Sequence, residues 1–181
     1  GDTLLDLDNP LTQNDFINPR TVSVDADQNV VIAGDLGIVW YRSAADLHHD
    51  LDGSPGTGYG PVIDSCILPN GNIVVASAEN VFLRDGSLEY IGQASGFANQ
   101  ITSIAPQSDN DIVVNWRYND GNPGYVIVYG DDDNSGGPLD NEAQHDGFLD
   151  VRALVVQSND YIVTANTAGN VFFRGEIALD Y

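Results

Sequence analysis

The chain has no lysine and no methionine, a single cysteine, few cations and no long apolar run. Each scarcity excludes something. Without lysine there is no P-loop lysine to hold a nucleotide phosphate, no Schiff base for a pyridoxal cofactor and no Lys–Asn isopeptide crosslink. Cys66 stands alone, so an internal disulfide and a cysteine-rich zinc site are both excluded. No apolar stretch approaches the roughly 18 residues of a membrane-spanning helix, and no leader pattern is visible, so no membrane insertion is expected. The start at Gly1 reads as the mark of a processed or trimmed chain. Six Lys+Arg, all of them arginine, face 27 Asp+Glu, which sets the net charge at −21. A field that negative repels phosphate backbones and anionic lipid, so nucleic acid is not an expected partner.

What is there is a repeat. The 181 residues are enough to bury a core without staples, and four stretches of them can be laid over one another. Val22-Ser23-Val24 leads to Val30-Val31-Ile32-Ala33 and Val39-Trp40-Tyr41-Arg42. Ser65-Cys66-Ile67 leads to Ile73-Val74-Val75-Ala76 and Val81-Phe82-Leu83-Arg84. Ser103-Ile104-Ala105 leads to Ile112-Val113-Val114-Asn115 and Val126-Ile127-Val128-Tyr129. Ala153-Leu154-Val155 leads to Ile162-Val163-Thr164-Ala165 and Val171-Phe172-Phe173-Arg174. The turns between them are rich in Asn, Asp and Gly, which tolerate the positive φ of tight hairpins. No stretch shows helical periodicity, and the fold class is all-β.

A period of 40 to 50 residues with three or four short strands suits a β-propeller blade. The units resemble blades of NHL-type repeat propellers, in which a polar turn precedes an apolar strand such as Ile73-Val74-Val75-Ala76. Pro69-Asn70-Gly71-Asn72 and Asp85-Gly86-Ser87-Leu88 also resemble bacterial delta-60 repeats. This likeness implies a β-propeller-like architecture of four repeated antiparallel sheets and carries no catalytic residue across. The expected organisation is one domain over 1–181, with repeats at about 20–60, 61–100, 101–150 and 151–181. Residues 1–20 supply an N-terminal strand, Thr3 to Asp8, that closes the last blade or is donated to a neighbouring subunit.

Long excursions interrupt the units, residues 47–60 in the first and 118–124 and 130–137 in the third, and inserted loops are where repeat scaffolds carry function. For calcium, which takes six to eight oxygens, the densest oxygen cluster is Asp131, Asp132, Asp133 and Asn134, with Asp25 and Asp27 in a partial EF-hand-like run. For a glycan, Trp116 beside Tyr118, Asn119 and Asp120 offers an aromatic platform with hydrogen-bonding groups, and Tyr59 is a second candidate. Trp40 matches Phe82 and Phe172 and is expected in the core, whereas Trp116 matches Gly34, Ser77 and Asn166. His48, His49 and His145 lack zinc-ligand spacing. No G-x-S-x-G elbow and no ordered Ser/His pair is present, so no enzyme activity is expected. Arg42, Arg84 and Arg174 share one repeat position and are read as pairing acidic turns.

These residues point to an extracellular or cell-surface binding module without enzymatic activity, recognising a glycan with the help of calcium. The alternative is a structural subunit of a surface layer, filament or virion, whose partners are copies of itself.

Overall fold

A computed structural model describes residues 18–35, 37, 39–42, 59–97, 101–117, 124–130, 140–148 and 151–174. The expected N-terminal strand at Thr3 to Asp8 lies outside them. Four antiparallel sheets follow one another in chain order. The first holds β1 (Pro19–Val24), β2 (Val30–Gly34) and β3 (Val39–Arg42). The second holds β4 (Val62–Ile67), β5 (Ile73–Ser77), β6 (Asn80–Arg84) and β7 (Tyr90–Ser95). The third holds β8 (Ile101–Pro106), β9 (Ile112–Trp116), β10 (Gly124–Gly130) and β11 (Asp140–Phe148), and the fourth β12 (Val151–Val156), β13 (Ile162–Asn166) and β14 (Val171–Arg174). Each sheet is an up-and-down meander, so its strands pair in sequence order. Among the described residues no helix is long and apolar enough to cross a membrane.

The repeat extends to details of register. The first strand of every sheet carries one irregularity at the same place, between Pro19 and Thr21, Val62 and Asp64, Ile101 and Ser103, and Val151 and Ala153. A bulge bends its strand and sharpens the local twist, so all four first strands bend alike. The hairpin that follows closes identically each time. Gln28, Gly71, Asn110 and Asp160 occupy one turn position and all have positive φ. Each donates its N–H three residues back, to the carbonyls of Asp25, Leu68, Gln107 and Gln157. This is a type I turn ending in a left-handed residue, the favoured closure of a longer hairpin loop. Leu88 repeats it between β6 and β7, bonding to Asp85.

Three apolar cores lie between successive sheets. Because side chains alternate across a strand, each sheet has two faces, and the register assigns residues to them. One face, here called leading, packs on the next sheet; the other, trailing, packs on the one before. The first core joins leading-face Val31, Ala33, Val39 and Tyr41 to trailing-face Ile67, Ile73, Val75 and Phe82. The second joins Cys66, Val74, Val81 and Leu83 to Ile104, Ile112, Val114 and Ile127. The third joins Val113, Val126 and Val128 to Leu154, Val156, Ile162 and Phe172. The same two rows are used each time, and the first strands β1, β4, β8 and β12 run beside one another in that order.

Candidate functional site

The two aromatic residues expected to hold a sugar are structural. Trp116 is only 8% exposed. Its indole meets Phe97 edge to face, with ring centroids 6.0 Å apart, and Phe97 meets Tyr129 in the same way at 5.9 Å. Phe97 is thereby wedged between two rings of the third sheet, closing one end of the second core. Tyr59 is buried against Phe82 at 4.9 Å, with the Arg84 guanidinium 4.9 Å from its ring centre and 5.1 Å from that of Tyr90. Neither ring offers an open face to a pyranose, which corrects the platform expected of both. Arg84 stacks on aromatic rings in place of the expected pairing with an acidic turn. Tyr118, Asn119 and Asp120 lie outside the described residues.

The calcium candidates divide in the same way. Asp131, Asp132, Asp133 and Asn134 lie outside the described residues, as do His48 and His49. Asp25 is committed to its own turn: one carboxylate oxygen accepts the N–H of Asp27 at 2.9 Å and of Asn29 at 2.8 Å, the other the Asn29 side-chain amide at 2.6 Å. Asp85 closes the β6–β7 turn with the same pair of amide bonds, from Ser87 at 2.8 Å and Glu89 at 2.9 Å. Such Asx bonding is the ordinary use of aspartate at a turn. Asp27 is exposed beside it. Among the described residues no three His, Cys, Asp or Glu side chains cluster closely enough to hold a metal ion.

What the structure brings together are the joints between sheets and the two faces left at the ends. In the first joint Thr21 and Ser65 share a hydroxyl hydrogen bond, and the Ser23 hydroxyl donates to the Ser65 carbonyl. In the second, Asp64 accepts the Ile104 N–H at 2.9 Å, and the Asn70 N–H donates to the Asn110 side-chain oxygen at 2.8 Å. In the third, the Ser108 N–H and hydroxyl both donate to the Asp160 carboxylate, the former at 2.8 Å. Asn110 and Asp160 hold the same turn position, so the second and third joints share one device: a positive-φ side chain reaching back to the preceding turn. Gly71 holds that position in the second sheet and has no side chain with which to reach.

At the ends the same rows continue with no neighbouring sheet among the described residues. On the leading face of the fourth sheet, Val155 is 55% exposed, Val171 54% and Phe173 64%, with Ala153, Val163 and Ala165 between them. On the trailing face of the first sheet, Val22 is 64% and Val24 55% exposed, beside Val30 and Ile32. No family model and no curated protein matches this chain. The end faces are therefore interpreted from their own chemistry. Isolated exposed apolar side chains are ordinary on a protein surface, but contiguous apolar rows mark an interaction surface. Sequence reading missed them because a repeat hides its ends: the first and last units carry the same apolar strand runs as the units between them. The available signal was the register itself, which places apolar residues on both faces of all four sheets, including the two faces that no other described sheet covers.

Proposed function

We propose that this chain is a non-enzymatic structural scaffold, a run of β-propeller-type blades that works by stacking its end sheets on another polypeptide. The observation that carries this reading is the pair of apolar end faces, Val155, Val171 and Phe173 on one and Val22 and Val24 on the other. Three further features support the propeller arrangement: successive sheets pack face to face, their first strands adjoin in order, and each bends at one shared bulge. With the aromatic candidates buried, the structural reading takes precedence over glycan recognition. An acidic surface without lysine suits an extracellular or cell-surface setting, where net charge keeps a protein with apolar patches in solution.

The test is binding of the apolar dye ANS to the folded chain at high dilution. Open end faces bind the dye, and the double variant V155D/F173D, which places carboxylates on an already exposed surface, binds less while keeping its melting temperature. A folded wild-type chain that leaves the dye unbound has its end faces covered by its own residues, and the reading fails.

A further inference from the structure

Resting on that reading, we propose that the partner of both end faces is a second copy of this chain, seated head to tail, with the fourth sheet of one molecule on the first sheet of the next. The two faces are the two halves of one joint, which the chain already makes three times within itself. Val155 holds the leading-face position that Ser23, Cys66 and Ala105 hold in the first three sheets, and Val22 the trailing-face position of Ser65, Ile104 and Leu154.

The residues at these positions are matched in character across each joint. The first joint sets Ser23 and Thr21 against Ser65, and they are hydrogen-bonded. The second sets Cys66 against Ile104 within the second core, and the third sets buried Ala105 on the side of Leu154, which packs on the third core. The pair left over is Val155 with Val22, and Ala153 stands where Thr21 stands. At this one pair of positions polar residues meet polar ones in the first joint and apolar residues meet apolar ones in the second and third, and Val155 and Val22 follow the same rule toward each other. A face evolved only to meet water has no reason to follow it.

The turn device agrees. Asn110 and Asp160 reach back to the preceding turn, to Asn70 and Ser108. Gln28 holds their position in the first sheet, with positive φ and an exposed amide side chain. The fourth sheet presents Ser158 and Asn159, the counterparts of Ser108 and Asn70, also exposed. Head-to-tail stacking brings Gln28 of one molecule to Ser158 and Asn159 of its neighbour. Such a contact is heterologous, so copies either close into a ring or extend as a filament.

The experiment is mass measurement by light scattering after size exclusion, over a range of concentrations. Wild type is expected at whole multiples of 19.4 kDa that grow with concentration. V155D/F173D, blocked at the leading end, and V22D/V24D, blocked at the trailing end, are each expected at the mass of one chain, with unchanged circular dichroism. Mixing the two leaves one usable joint, so a two-chain particle forms and grows no further. A wild type that stays at 19.4 kDa at all concentrations overturns the second copy as partner, and if it still binds ANS the broader reading stands. Oligomers that survive in either blocked variant, or a mixture that does not pair, also overturn the head-to-tail joint.

Discussion

Trp116 shows what one side chain contributes here. Its indole is buried against Phe97, and truncating a buried tryptophan typically removes about 3–5 kcal/mol. Trp116→Ala is therefore expected to lower the unfolding free energy from urea titration by that amount; a change below about 1 kcal/mol contradicts the packing role. Gly37 is a sharper case. It has a φ of +69°, and a Cβ added there would lie 2.7 Å from the Gly60 carbonyl oxygen. The turn between β2 and β3 thus touches backbone at the approach to β4. Gly37→Ala combines left-handed strain of about 1–3 kcal/mol with a backbone clash, and a thermal melt that is unchanged excludes this contact. Cys66 is buried, and burial pushes its thiol well above the usual range, with Asp64 adding to the effect. The thiolate is the reactive form, so Cys66 is expected to resist a disulfide reagent until the chain unfolds. Fast labelling of the native protein would sink this. At this scale the sequence was least legible: Trp116 lacks an aromatic counterpart in the other units, which suggested a ligand platform, whereas the third sheet uses it to hold Phe97.

Among the elements, the turns carry most of the predictive content. The positive-φ position is filled by Gln28, Gly71, Asn110 and Asp160, so the chain accepts strain at three of four places to gain a side chain there. Asp160→Ala removes both bonds from Ser108 and leaves a β-carbon in the left-handed region, whereas Asp160→Gly loses the bonds but relieves the strain. The alanine variant is expected to be less stable than the glycine variant by roughly 1 kcal/mol. Equal stabilities would contradict that view of the turn. On β4, burial raises the Asp64 carboxyl above its ordinary value of 3.8, opposed by the bonds from the Ile104 and Ser65 amides. A carboxyl raised in the folded state holds its proton longer there than in the unfolded chain. Stability from this group therefore falls as pH climbs from 3.8 through the raised value. Asp64→Asn abolishes that slope, which urea midpoints at steps across the window will show. The strands themselves were legible in the sequence. β2, β5, β9 and β13 begin at Val30, Ile73, Ile112 and Ile162, where the apolar runs begin. The bulges were not, because the offset between Pro19 and Thr21 or Val62 and Asp64 is set by pairing with the next strand and leaves no residue signature.

For the whole molecule, a net charge of −21 on 181 residues works against compactness. Salt at about 0.1 M shortens the reach of that repulsion to about 10 Å, so the melting temperature is expected to rise as sodium chloride is added. A fall with salt would mean that specific ion pairs outweigh the general repulsion. The four-sheet order was readable from the repeat because hydrophobic period and turn chemistry repeat together, as in the runs from Asp25 to Ala33 and from Leu68 to Ala76. The exposed faces were not readable, since burial depends on a neighbour and the sequence of a sheet is the same with or without one. Every joint uses one pair of rows and one bend, and the first and last sheets carry the same bulge and the same hairpin turn as those between. The array thus has no built-in length: a further sheet can be added wherever the residues of its two faces match those of its neighbours in polarity.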